Sequence, residues 1–444
     1  MEDYFDWTKE IFDPDKIFSK PEALEGVRVL EICTRVFGPM TAEFLAEFGA
    51  EVIKIELPGD GDLMRYTAPL GRFWKDVAVS FFPMNRNKYF VGLDIRKPEG
   101  KELFYKLVAR SDVVVENFKA GTMDRWGTGY RQLREINPAI IYVANSGFGQ
   151  WGPNVERPSY DATAQAEAGL AAITGFPSRP PLKVPIYIGD TLGALHAAIG
   201  VLVALYRRHL TGKGEFIDVS QGESLLRTMD WTFLFQFLIG SPDGRPRWGN
   251  YDPAICPAGI FRCRDGYIGV AAQDDEQFKN LCTALKVPEL ATDPRFIDQT
   301  TRTRTENAKA LYSTLSEILR HYTAEEIETL AIKYGFAAAK VANAQDIYND
   351  DHYRARRAIV EFDDPIYGTL VDYGPVPKLS ETPGRIRWAA KPVGFHNEHV
   401  FKKLLGLTDN EISELTAKGV IGQWSDRPGA RPPITWDGRT GTGW

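Results

Sequence analysis

From residue 28 the chain alternates short apolar runs with segments whose apolar residues recur at helical spacing. RVLEI (28–32), EVIKIE (51–56), YFVGLDI (89–95), DVVVENF (112–118) and IIYVANSGFG (140–149) read as strands. Between them MTAEFLAEFG (40–49), PEGKELFYKLVAR (98–110) and YRQLREIN (130–137) read as helices, with Pro98 suited to a first helical turn. Repeated strand–helix–strand units with short connections predict an α/β fold, a Rossmann-like large domain with a mainly parallel sheet covered by helices on both faces. The stretch VPIYIGDTLGALHAAIGVLVALYRRH (184–209) reads as a strand-like run and a long apolar helix, with one acid, Asp190, between them. FIDVSQ (216–221) then reads as a strand and ESLLRTMDWTFLFQFLIG (223–240) as a buried helix.

The pattern changes at SPDGRPRWGNYDPAICPAG (241–259), whose Pro and Gly density marks a domain crossing. A hairpin over 259–272, turning at Arg264-Asp265-Gly266, and helices over 276–285, 306–322 and 324–335 predict a smaller α+β domain. The expected division is an N-terminal extension (1–23), the large domain (24–222), a linker helix (223–244), the small domain (245–345), the rest of the large domain (346–421) and a Gly/Pro-rich tail (422–444) with exposed tryptophans.

Composition narrows the function. A chain of 444 residues with 43% hydrophobic and 25% charged residues is an ordinary globular composition with room for two domains. A net charge of −6 without a long basic run argues against nucleic acid or a membrane surface as partner. No secretory signal or uninterrupted membrane-length apolar run is visible, so a cytoplasmic location is expected. The four cysteines read as reduced core thiols.

Familiar catalytic motifs are missing. The loop after the first strand, TRVFGPM (34–40), lacks a dinucleotide-binding glycine pattern, GDGD (59–62) reads as a plain turn, and no GxSxG elbow is present. His396 and His399 have helical spacing without a third ligand, so a surface or capping role and no metal site are expected. On its own stretch Asp190 reads as a helix N-cap. The other polar groups at strand ends are Asn85 to Lys88, Asn117 to Lys119, Arg125, Tyr160 and Asp161, where open α/β sheets bind ligands.

Taken in order, the segments LEGVRVLEICTRVFGPMTAEFLAEFGAEVIKIELPGDGDLMR (24–65), NRNKYFVGLDIRKPEG (85–100), DVVVENFKAGTMDRWG (112–127), SGFGQWGP (146–153), RPSYDATAQAEAGLAAITG (157–175), IGDTLGALHAAIGVLVAL (188–205) and GFHNEHV (394–400) resemble the class III coenzyme A transferase family, of the carnitine and formyl-CoA transferase type. The resemblance runs over about 24–421. It implies an interlocked dimer and a catalytic aspartate at Asp190, whose carboxylate the positive helix end would help keep ionised. It implies acyl-CoA and a small carboxylic acid as substrates, with mixed-anhydride and aspartyl-CoA thioester intermediates; succinyl-CoA is a guess for the donor and an aromatic or dicarboxylic acid for the acceptor. No metal and no further nucleotide cofactor are implied, since one thioester is exchanged for another. CoA contacts are implied at Val36, Phe37, Asn85, Arg86, Asn87, Lys88, Asn117, Phe118, Lys119, Arg125 and Tyr160, with Lys119 and Arg125 as phosphate partners. Leu57 departs from members that carry Arg there, and the glycine-rich loop of the formyl-CoA type is replaced by DPAICPAG (252–259).

Two rivals share the resemblance. An α-methylacyl-CoA racemase would carry a His where Tyr160 stands, an imidazole this chain lacks. A structural subunit of a hetero-oligomeric transferase is the other, and retention of Asp190 argues against it. Arg157 and Lys183 are candidate partners for a substrate carboxylate, and the aromatic run 229–238 for a bulky acid.

Overall fold

The computed structural model describes residues 2–75, 77–240 and 244–426. Residues 427–444, most of the expected tail, lie outside this range. Two compact units are present: one takes the described residues of 1–168, 185–229 and 351–444, the other those of 169–184 and 230–350.

The first unit is built on six parallel strands: β1 (Arg28–Ile32), β2 (Glu51–Glu56), β3 (Lys88–Leu93), β4 (Val113–Glu116), β5 (Ile141–Ser146) and β6 (Glu215–Ser220). Their order is β3-β2-β1-β4-β5-β6, and a short strand (Ile421–Gly422) pairs antiparallel with β3 at the edge. This is the doubly wound arrangement, with its switch point between β1 and β4. Alternate residues serve opposite faces. Val29, Val52, Val113 and Val115 pack on one side and Leu30, Ile53 and Val114 on the other, all fully buried. Burial on both faces is why these strands read as nearly continuous apolar runs.

Helices α1 (Phe37–Glu47), α2 (Pro98–Val108) and α3 (Tyr130–Ile136) cover the sheet; α4 (Asp161–Glu167), α5 (Ile188–Thr211) and α6 (Gln221–Leu226) complete the crossover around β6. Pro98 opens α2, as its fixed φ and missing N–H suit a first turn. Helix α5 buries a stripe of small residues, Gly189, Gly193, Ala194, Ala197, Ala198, Val201 and Ala204, so it approaches α1 closely. A side chain at Gly193 would put its Cβ 2.5 Å from the Phe37 ring. The second unit holds the hairpin Ala258–Cys263 and Gly266–Ala271 with its expected turn, a third strand Ala337–Lys340, and helices Asp275–Ala284, Thr305–Leu319 and Ala324–Tyr334 over a core of their own.

Four local expectations fail. Residues 184–187 form an irregular, largely exposed segment rather than a strand. The helix expected over 223–240 is interrupted at Asp230, whose φ is 40°, and Phe233, Leu234, Phe237, Leu238 and Ile239 are exposed. His396 is fully buried, its Nδ1 accepting the Phe90 N–H at 2.8 Å, so it completes the sheet edge. Trp424 is buried as well, beside Arg65.

Candidate active site

A crossover helix between parallel strands runs back along the sheet, which sets the N-terminus of α5 at the carboxyl edge, where ligands of such folds bind. Asp190 is the third residue of α5 and is buried. It does not cap the helix. Tyr187 is the N-cap and offers no side-chain acceptor. The Gly189 N–H instead donates to Asp161 Oδ1 at 2.7 Å, and the second oxygen of Asp161 accepts from Gln165 Nε2 at 2.7 Å. Asp161, reaching across from α4, takes the capping role that the local sequence assigned to Asp190.

Among the described residues Asp190 has one side-chain partner, Gln221 Nε2, which donates to its Oδ1 at 2.6 Å. Ser159 Oγ donates to Gln221 Oε1 at 3.2 Å, so the amide is fixed with its donor end toward Asp190. Burial, and then the nearby Asp161 carboxyl, raise the Asp190 carboxyl to about 7, against the opposing Gln221 hydrogen bond. Desolvation of the charged form is the largest cause of the rise. The result is a carboxyl group poised at neutral pH with a free oxygen, the condition of a tunable acid, base or nucleophile.

The loop after β1 forms the next wall. Asn117, at the end of β4, clamps Thr34 by accepting its N–H at 3.0 Å and donating to its C=O at 2.7 Å. Asp62 Oδ1 accepts from Thr34 Oγ1 and from the Arg35 N–H, both at 2.8 Å. Arg35 takes a left-handed backbone conformation, φ 67°, and its guanidinium lies 5.5 Å from the Tyr160 ring centre. Asp62, read from the sequence as part of a plain turn, is thus a buried anchor of this loop. It is the end of a buried chain of alternating charges: Asp62 to Lys54 at 2.9 Å, Lys54 to Glu31 at 2.5 Å, and Glu31 to Lys88 at 2.7 Å.

The expected CoA-contact residues divide sharply. Tyr160 is exposed next to Asp161, and the buried Phe37 packs at Gly193, one turn below Asp190; Val36 is buried with it. Lys119 and Arg125 are exposed beyond β4, Arg125 donating to Thr122 Oγ1 at 2.9 Å. Phe118 is half-buried against Trp126. Asn85, Arg86, Asn87 and Lys88 face inward. Asn85 holds Lys88 Nζ at 3.0 Å and the Phe81 C=O at 2.9 Å, and Arg86 bridges Glu43 and Glu47 of α1 at 2.6 Å each. Asn87 bonds the backbone of Arg385 and Arg387, and Lys88 donates to the Pro39 and Met84 carbonyls. Their polar ends make contacts inside the first unit. Arg157 pairs with Glu167 at 4.0 Å, and Lys183 lies in the other unit. Gln221 and Arg35 were missed by the sequence reading. Arg35 carried one signal, a basic side chain directly after the first strand; Gln221 read as the end of a strand.

Comparison with known proteins extends the picture. A family model described as CoA-transferase family III matches residues 24–397. "Succinyl-CoA--D-citramalate CoA-transferase" of Chloroflexus aurantiacus is 39% identical over 403 residues, 90% of this chain and 98% of that protein. "Succinyl-CoA--L-malate CoA-transferase beta subunit" of the same organism is 36% identical over 90% of this chain and 98% of that subunit. Among solved structures, a CAIB/BAIF family protein from Brucella suis superposes with a TM-score of 0.77 at 31% identity, over 87% of this chain and all of that one.

Proposed function

This chain belongs to CoA-transferase family III, and from that premise we propose that it moves CoA from succinyl-CoA to a dicarboxylic acid through covalent intermediates on Asp190. The observation that carries the role of Asp190 is its situation: a buried carboxyl raised to about 7, hydrogen-bonded at one oxygen only, at the ligand-binding edge of the sheet. The donor and acceptor are supported by the two Chloroflexus relatives, whose names share succinyl-CoA and a hydroxy-dicarboxylate.

In the proposed sequence the ionised Asp190 attacks the donor thioester carbonyl. The carbon–sulfur bond breaks, CoA leaves as thiolate, and a mixed anhydride of Asp190 and the donor acid remains. The retained thiolate attacks the aspartyl carbonyl, expelling the donor carboxylate and leaving an aspartyl-CoA thioester. The acceptor carboxylate attacks that thioester, and the released thiolate then takes the acceptor acyl group from the second anhydride, regenerating Asp190. Every step exchanges one acyl bond for another, so no net proton or electron is consumed. Gln221 holds the Asp190 carboxyl in one orientation, and the donors proposed for the developing oxyanions are first-turn N–H groups of α5 other than that of Gly189, which Asp161 already engages.

Lys119 and Arg125 are the proposed phosphate contacts, since their heads are exposed and neither has a carboxylate partner among the described residues. Tyr160 and Phe118 offer aromatic surface alongside. The proposed assembly is an interlocked dimer. Its support is the outward stripe of α5, Leu195, Ile199, Leu202, Val203, Tyr206 and Leu210, an apolar face that a lone soluble chain would leave in water.

The test is trapping. Protein incubated with succinyl-CoA is treated with hydroxylamine or borohydride, and the peptide containing Asp190 is mass-analysed. A CoA-dependent modification at Asp190 is expected. Exchange of a substrate α-proton with deuterated solvent, with Asp190 unlabelled, would replace this reading with racemase chemistry.

A further inference from the structure

The N-terminal extension precedes the region matched by the family model, and in the first unit it closes a cavity of about 640 Å3 against residues 353–386. That volume lies within the usual range of small-molecule sites. Apolar side chains from both segments line it, including Ile11, Phe12, Ile17, Val360, Val376 and Leu379. Its charged lining is lopsided. Asp13 is the sole carboxylate and is paired with Lys16 at 3.3 Å. Of the cations, Lys9 faces Asp6 at 3.9 Å, Lys20 donates to the Ile11 and Ser380 carbonyls, and Arg385 is engaged by Glu22 at 3.5 Å.

Three lining cations, Arg356, Arg357 and Lys378, form no salt bridge among the described residues, and Glu47 is the one carboxylate whose charge acts on Lys378. Lys378 Nζ donates to the Arg357 carbonyl at 3.0 Å, and all three residues line the same cavity. Arg357 is held in a left-handed conformation, φ 48°, uncommon for a residue with a side chain. Burial, and then the charges of Arg356 and Arg357, lower the Lys378 ammonium below its usual range, with Glu47 opposing. Three like charges gathered at an apolar cavity repel one another, and an anion seated among them would relieve that repulsion.

We propose that this cavity is a second ligand site, separate from Asp190, for an organic anion that carries a carboxylate or phosphate on an apolar body. The guanidinium forks of Arg356 and Arg357 and the Lys378 ammonium take the anionic head; the extension and Val360, Val376 and Leu379 cover the tail.

Titration calorimetry of the full-length protein with octanoate, octyl phosphate, inorganic phosphate and 1-octanol tests both halves. Saturable binding of octanoate or octyl phosphate is expected, and whichever binds more tightly names the head group. Arg356→Glu and Phe12→Asp, both at exposed side chains, are each expected to weaken that binding at least tenfold while CoA transfer is unchanged, which also separates this site from Asp190 occupied by a carboxylate. Unchanged binding in both variants, or no binding by the wild type, overturns the site. Octanol binding as tightly as octanoate removes the anionic half, and phosphate binding as tightly as octyl phosphate removes the apolar half. Because both variants lie away from Asp190 and CoA transfer is assayed separately, failure here leaves the transferase reading standing.

Discussion

Asp62 and Asp190 are both buried aspartates of the first unit, and their environments push them in opposite directions. Burial alone would raise Asp62, but the Lys54 ammonium and the N–H groups of Met64 and Arg35 outweigh it and hold its carboxyl below the ordinary range. Asp190 meets a second carboxyl and one amide, and rises to about 7. A buried charge that is fully paired is architecture; one left short of partners is destabilising, and such groups cluster at functional sites. The stability signs differ accordingly. Asp62 contributes stability above the ordinary carboxylate range and loses it as pH falls through its lowered value. Asp190 costs nothing in acid and costs progressively more as pH rises from about 4 to about 7.

Asp190→Asn is the largest break in that contrast. It removes the proposed nucleophile and is expected to lower CoA transfer by roughly 10^3-fold or more. Because the amide never ionises, the same variant should unfold at higher denaturant than wild type at pH 8, by on the order of a few kcal/mol. The advantage should vanish near pH 3. A variant that is inactive and also less stable at pH 8 would mean that Asp190 is structural.

Asp62→Ala should invert that result. Removing one member of a buried charge chain leaves Lys54 short of a partner and frees Thr34 and Arg35, for a loss of about 3–5 kcal/mol in urea unfolding. At temperatures where the variant is folded, trapping at Asp190 should persist, with weakened affinity for acyl-CoA as the loop after β1 loosens. Normal stability would show that the chain from Asp62 to Lys88 is dispensable.

The two aspartates also differ in how far the sequence reveals them. The strands are legible because a parallel sheet buried on both faces demands apolar runs, and Pro98 and the 264–266 turn are legible because the backbone constraint is local. Asp190 is legible only through the resemblance, since its own stretch argues for a cap. Its partners are not legible: Asp161 meets Gly189 from 28 residues away and Gln221 meets Asp190 from 31, distances that only the crossover closes. Asp62 is hidden the same way, because GDGD looks like any turn until Thr34 and Lys54 fold onto it. At 85–88 the partners are hidden in the same way: Glu31, Glu43 and Glu47 meet Lys88 and Arg86 from distant parts of the first unit. Apolarity misleads over 223–240, where the exposed residues fit an interface as well as a core.

Asp161→Asn sharpens the contrast without removing either aspartate. The amide oxygen can still accept the Gly189 N–H, but the like charge beside Asp190 is gone. Attack needs the ionised form, so kcat/KM for wild type should fall about tenfold per unit below pH 7 and level off above it. In the variant that limb should move to lower pH, with a higher rate at pH 6 than wild type. A limb that stays put would assign the raised Asp190 to burial alone.

Gln221→Leu should give the smallest and most specific change. Leucine fills similar space but cannot donate, so the ionised Asp190 loses its one side-chain hydrogen bond, an interaction with a charged group worth about 1.5–3 kcal/mol. The acid limb should therefore move up, opposite to Asp161→Asn, and the rate at pH 7 should drop by roughly tenfold or more. Above pH 9 the two roles of Gln221 separate. If the amide only favours the charge, the rate there returns to that of wild type, because the carboxyl is ionised in both. If Ser159 and Gln221 also aim the carboxylate at the thioester, kcat stays low with KM unchanged at every pH, and the pairing is a positioning device rather than an electrostatic one.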